Sequence, residues 1–127
     1  MAREAVRAEA VPGYAREAGA ALWRLADARQ RTPRVLADMP ADDVDRATGG
    51  NTVASILYHV ALTEADWLYT EILEAELPAE LVRLFPPEHR DQAGVLSVVV
   101  GETLNQHLAR LAVVRRLLLE RLRPMTE

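Results

Sequence analysis

The sequence predicts an all-α protein, a single up-down helical bundle with a long crossover between its second and third helices. Ala, Leu, Arg and Glu dominate the composition, and these are strong helix formers. Apolar residues recur at steps of three and four through three long segments. β-Branched residues gather in only one short stretch, from Val95 to Val100. The 127 residues make one domain's worth of material, 1–127, large enough to bury a core without cross-links.

The first residues, 1–11, are polar and alanine-rich and read as a frayed arm or short helical lead-in, followed by the turn signal Pro12-Gly13. Helix 1 is expected from about Tyr14 to about Asp38. Its inward stripe is Ala18, Leu22, Leu25, Ala28, Thr32, Val35 and Met39. Pro33 lies inside this pattern and lacks the amide that would bond back to Arg29, so a kink or break is expected there. A loop follows over residues 40–50, and Asn51 or Thr52 can cap the next helix.

Helix 2, about Thr52 to Glu76, has the broadest apolar face: Val53, Ile56, Leu57, Val60, Ala61, Glu64, Trp67, Leu68 and Ile72. Pro78 closes it. Residues 78–99 form the connection. Leu81, Val82, Leu84 and Phe85 suggest a helical turn, and Pro86-Pro87 forces extended backbone. Val95 to Val100 could pair briefly as a strand but has no obvious partner. A connection this long suits a crossover rather than a tight hairpin. Helix 3 is expected from about Glu102 to Arg123, with Leu104, His107, Leu108, Leu111, Val114, Arg115, Leu118 and Leu122 at heptad spacing.

Composition excludes several classes of function. A net charge of −4, from 15 basic and 19 acidic side chains, argues against nucleic-acid binding, which needs a basic face. No apolar run approaches the roughly 18 residues that span a bilayer. Met1 to Ala10 has no apolar stretch of a secretory signal, so a cytoplasmic protein is expected. Without cysteine there is no disulfide, no thiolate nucleophile and no Cys-bound zinc. Without lysine there is no Schiff base and no P-loop. The groups left for chemistry are three histidines, the carboxylates, Ser55, Ser97, the threonines and the tyrosines.

The stretch from Asn51 to Leu73 opens on small polar residues. It then carries one histidine, His59, and an acidic residue beside a tryptophan, Asp66-Trp67. It resembles the second helix of DinB/YfiT-like proteins. Gly101 to Leu118 resembles the third helix of one DinB subgroup, and Trp23 to Arg29 fits the first. The resemblance covers the chain from about Leu22 onward. It implies a four-helix bundle with a long connection between helices 2 and 3, and a divalent metal, zinc or nickel, held by three histidines. One of these falls on His59. The other two form a His-x-x-x-His pair on helix 4, one turn apart on one face. This sequence has no such pair, and the chain is expected to stop before that helix. In an alternative alignment His107 matches the final histidine, with Thr103 one turn before it. The activity implied is metal-dependent transfer of a small-molecule thiol of the mycothiol or bacillithiol type, here with an incomplete metal site.

His59 has two readings. It is a metal ligand with Asp66 behind it, because Thr63 and Asp66 follow at i+4 and i+7 on the same stripe. Or it is a histidine at the border of the core, hydrogen-bonded to a neighbour. His107 flanks the helix 3 stripe and could face His59 as a second ligand, or be an ordinary boundary residue. His89, in the polar loop Pro87 to Asp91, is expected in solvent. Glu64 and Arg115 fall on apolar faces and each should be paired, since an unpaired buried charge is costly; an ion pair with each other is one possibility. Trp23, Trp67 and Leu118 read as core. Ser55 has no base at a recognisable spacing.

Two functions follow. One is an enzyme relative in which a partner chain completes the site. The other is a non-catalytic module whose three amphipathic helices leave an apolar groove, filled by a partner or by a homodimer through helical faces. The ending after Pro124 also fits a fragment of a longer protein.

Overall fold

The computed structural model describes residues 9–125. Residues 1–8, most of the expected N-terminal arm, lie outside that range. The chain divides into two compact units, Met39–Leu118 and Met1–Asp38 with Leu119–Glu127. The expected class is observed: among the described residues there are three long helices, one short helix and no strand.

The larger unit begins at a single 3₁₀ turn, Ala41–Asp43. Helix α2, Val53–Asp66, starts where expected because Thr52 caps it: its hydroxyl oxygen accepts the Ser55 amide at 3.0 Å. The Ala54 amide donates to the Val44 carbonyl at 2.9 Å, tying the preceding loop to the first turn. The core face carries Ala54, Leu57, Tyr58, Ala61, Leu62 and Ala65, and continues into Leu68 and Tyr69.

Part of the expected inner face of this helix faces water instead. Ile56, Val60 and Ile72 are exposed, and Trp67, expected in the core, is 66% exposed. The helix is apolar nearly all round, so spacing alone could not say which side would be covered. Its end also differs. The six residues Trp67–Ile72 form a wide π-helical turn, in which the Leu73 amide reaches back five residues to Leu68 at 2.9 Å. Glu74, at φ 48°, then leaves helical geometry well before Pro78.

The crossover, residues 73–103, is longer than the expected 78–99 and has internal structure. Helix α3, Ala79–Val82, follows Pro78 and buries Leu81 fully, with Phe85 behind it. Beyond Pro86-Pro87 the chain makes a tight turn at Asp91. One carboxylate oxygen of Asp91 accepts the amides of Ala93 and Val95 at 2.9 and 3.0 Å. The valine-rich stretch does find a partner, namely the residues just before it. Arg90 and Leu96 form an isolated antiparallel bridge, and the Ser97 amide donates to the His89 carbonyl at 3.1 Å. Val99 is buried, and its amide donates to the Ser55 hydroxyl at 3.3 Å.

Helix α4, Leu104–Leu122, opens with a reciprocal cap. The Gln106 amide donates to the Thr103 hydroxyl at 3.1 Å, and the Thr103 amide donates to the Gln106 side chain at 2.7 Å. Its buried face is His107, Arg110, Leu111, Val114, Leu117 and Leu118. Of the expected stripe His107, Leu111, Val114 and Leu118 are buried and Leu104, Leu108, Arg115 and Leu122 half-buried, while Arg110 and Leu117 are buried outside it.

The smaller unit holds helix α1, Arg16–Leu36, which runs through Pro33 without a break. Pro33 stands in the last turn, where a missing bond leaves little helix to disrupt. Of the expected stripe Leu22 is buried and Ala18 and Thr32 are half-buried, and Gly19, outside the stripe, is buried as well. Leu25 and Val35 are 44% and 80% exposed, and Ala28 is exposed as well. The Val11 amide donates to the Gly19 carbonyl at 3.0 Å, and a side-chain carbon on Gly19 would meet the Val11 oxygen at 2.8 Å. Glycine permits that close crossing. The Tyr14 hydroxyl donates to the Leu119 carbonyl at 3.1 Å, beneath the Arg123 guanidinium.

The expected Glu64–Arg115 pair joins α2 to α4. Arg115 Nε lies 2.6 Å from one carboxylate oxygen of Glu64 and Nη2 lies 3.3 Å from the other, with side-chain exposures of 14% and 15%. Removing Arg115 takes the bidentate partner from a largely desolvated carboxylate. Arg115→Met is therefore expected to lower the unfolding free energy by about 3 kcal/mol in urea, and Glu64→Leu added to it should recover most of the loss. A single variant as stable as the parent would contradict this.

Candidate functional site

Neighbouring residues of α2, Tyr58 and His59, look into two different clusters, both in the larger unit. The first surrounds Arg110, which is 6% exposed. Its Nε donates to the Leu84 carbonyl at 2.8 Å. Its Nη2 grips both Glu102 oxygens, at 2.5 and 2.6 Å. The guanidinium lies 5.0 Å over the Tyr58 ring and 5.8 Å from the Phe85 ring centre. Its Nη1 approaches His107 Nδ1 at 3.1 Å. A guanidinium only donates, so that ring nitrogen is the acceptor and Nε2 carries the proton. Nε2 is buried and has no hydrogen-bond partner among the described residues. Burial holds His107 below the ordinary histidine range; Arg110 adds to this, while Glu102 and Asp45 oppose it.

The second cluster is a chain of three side chains. Asp66 Oδ2 lies 3.1 Å from His89 Nε2, and His89 Nδ1 lies 3.2 Å from His59 Nδ1. The two rings meet edge to face. His59 Nε2 is 3.5 Å from the Thr63 hydroxyl, a weak contact. The carboxylate fixes the proton order. Asp66 accepts only, so His89 Nε2 is protonated. In a neutral His89, Nδ1 is then bare and accepts the Nδ1 proton of His59, which leaves His59 Nε2 as a free lone pair. Burial, with the neighbouring His89 and Arg90, holds His59 below the ordinary histidine range.

The sequence expectations divide here. His59 and Asp66 do lie together. His89, expected in solvent, is the link between them, and its side chain is 31% exposed. His107 is engaged with Arg110 and Glu102 rather than with His59. Arg110, Glu102 and Tyr58 were not singled out at all. The available signal was a charged residue one position off the helix 3 stripe.

A cavity of about 380 Å³ opens against the second cluster, within the range of small-molecule sites. Leu62, Leu77, Val82 and Phe85 form its apolar part, and Asp66, Glu88, His89 and Arg90 its polar edge. A larger cavity, about 590 Å³ and lined partly by Asp45, Glu102 and Leu104, contains no imidazole.

Residues 24–127 match the family model described as the DinB superfamily. The chain belongs to the DinB superfamily. No curated protein and no solved structure matches it.

The three-histidine metal site that the DinB resemblance implies can be tested against these donors. Among the described residues, no group of three or more His, Asp or Glu side chains is arranged to hold a metal ion. Asp66 takes the nitrogen of His89 that points away from His59. His107 has a guanidinium at one nitrogen and is fully buried. The donor set does not fit a three-ligand site.

Both depressed histidines make stability depend on pH. Unfolded, each titrates near 6.5; folded, each titrates lower. Between those values the unfolded chain binds more protons, so stability rises with pH up to about 6.5 and is lost as pH falls below it. The melting temperature is expected to fall on acidification from pH 7 to 5.5, less steeply in His107→Gln. A melting temperature that rises over that range would contradict the assignment.

Proposed function

We propose that this DinB protein handles a small-molecule thiol, of the mycothiol or bacillithiol kind, with His59 taking the S–H proton. One observation carries this reading: the chain Asp66–His89–His59, with contacts of 3.1 and 3.2 Å. A proton arriving at His59 Nε2 can be matched by passage of the His59 Nδ1 proton to His89 Nδ1. The net positive charge then rests on His89, next to the Asp66 carboxylate. His59, whose surroundings disfavour charge, is neutral again.

The thiolate left behind is stabilised by its setting. A free thiol has a pKa near 8.5, which cationic neighbours lower. The protonated His89 and the nearby Arg90 supply that positive field. The adjoining apolar cavity offers room for the carbon that accepts the sulfur. In the transfer itself the thiolate forms the C–S bond, the leaving group departs with its electron pair, and the pair of imidazoles gives its proton to that group or, where the group is a halide, to water. No step requires a metal-bound sulfur, in keeping with the donor set.

The test is thioether formation between a low-molecular-weight thiol and an activated aryl halide, with halide as leaving group. Loss of a positioned base costs roughly 10²- to 10⁴-fold. His59→Gln is therefore expected to lower kcat/KM by about 10²-fold or more, and a chelator to leave the wild-type rate unchanged. A His59→Gln rate equal to that of the parent, or a rate abolished by the chelator, would contradict the reading.

A further inference from the structure

His89 belongs to the long crossover, in which no helix lies between Val82 and Leu104. Its ring must nevertheless stay within 3.2 Å of His59. The segment leading to it is held at two points. Arg110 Nε donates to the Leu84 carbonyl at 2.8 Å. The Tyr58 hydroxyl donates to the Pro87 carbonyl, two residues before His89. Tyr58 is also the chain neighbour of His59. The loop of contacts through residues 58, 59, 89 and 87 is therefore very short, and a shift of the Pro87 carbonyl passes almost directly into the spacing of the two imidazoles.

The Tyr58 ring has little freedom to follow such a shift. It is 2% exposed, meets the Phe85 ring edge-on at 5.4 Å, and lies under the Arg110 guanidinium. Its hydroxyl also remains a donor over any ordinary pH, because burial pushes its pKa up to about 12.

We propose that Tyr58 is a positioning residue for the proton relay, its hydroxyl holding the Pro87 carbonyl so that His89 bridges Asp66 and His59. This rests on the relay reading of His59. Tyr58 touches no reacting atom and acts only through the placement of His89. A role confined to core packing would be served equally well by phenylalanine, which keeps the ring, its contact with Phe85 and its place under Arg110.

The experiment uses the full chain with ¹⁵N-labelled histidine, observed by NMR at pH 7.5. In the parent, His89 is expected in a single tautomer with the proton on Nε2. Asp66→Ala removes the acceptor that selects this tautomer and serves as the reference for a broken relay. Tyr58→Phe is expected to keep a folded amide spectrum while His89 shifts to a mixture of tautomers. The Ser97 amide, bonded to the His89 carbonyl, should then exchange about fivefold faster, the effect of losing one ordinary hydrogen bond. If Asp66→Ala alters His89 and Tyr58→Phe does not, the positioning role is overturned and the relay stands. If neither variant alters His89, the relay reading fails and the positioning role falls with it. Should Tyr58→Phe not fold, the parent protein answers through its hydroxyl proton. A slowly exchanging Tyr58 hydroxyl resonance with cross-relaxation to Pro87 supports the proposal, and a hydroxyl in fast exchange with water overturns it.

Discussion

A guanidinium cannot be buried alone, and the larger unit is arranged around satisfying one. Stranding a buried charge costs several kcal/mol, more than any single apolar contact returns. Arg110 meets that demand with a bidentate carboxylate from Glu102, a backbone carbonyl from Leu84, the faces of Tyr58 and Phe85, and one nitrogen of His107. These partners come from α2, from the crossover, from the residue just before α4 and from α4 itself. One side chain thereby links three stretches of chain. The Glu64–Arg115 pair does a simpler job one turn further along α4, setting the register of that helix against α2.

The candidate site follows from that constraint. The crossover between Val82 and Leu104 has no helix of its own to fix it. Its order comes from a few polar contacts: Leu84 to Arg110, Pro87 to Tyr58, His89 to Ser97, and Asp91 to its own turn. Together they deliver His89 to the surface of α2 between His59 and Asp66. Neither α2 residue could form a relay alone, because seven residues of helix separate them along the axis. The imidazole from the crossover closes the gap, and the carboxylate at its far side decides which nitrogen carries the proton. Sub-ångström placement therefore depends on ordinary hydrogen bonds worth roughly 1 kcal/mol each.

How much of this could be read in advance depended on the range of the interaction. Local signals were legible: the Thr52 cap and the helical turn at Leu81. So was the pairing of Glu64 with Arg115, because two charges on apolar faces have few other outcomes. The DinB resemblance was legible from the stretch around His59, and the family match agrees with it. The side of a helix that ends up covered was less so. Ile56, Val60 and Trp67 are as apolar as their buried neighbours, and only the rest of the fold decides between them. The wide turn at Trp67–Ile72 has no spacing signature of its own. His89 was hidden for a similar reason. A histidine among Pro, Glu, Arg and Asp reads as solvated until the backbone is seen to fold it back over α2. Arg110 looked like one more surface arginine among 15 basic residues.

If Arg110 governs the crossover, Arg110→Lys should expose the dependence, since lysine keeps the charge and the stem but loses the planar fork that reaches Leu84 and Glu102 together. The measurement is residue-resolved hydrogen exchange of the full chain. The amides of Leu84, Phe85, Asp91 and Ser97 are expected to lose protection while those of Leu57, Ala61 and Ala65 in α2 keep theirs. Crossover amides as slow to exchange in the variant as in the parent would contradict the central claim.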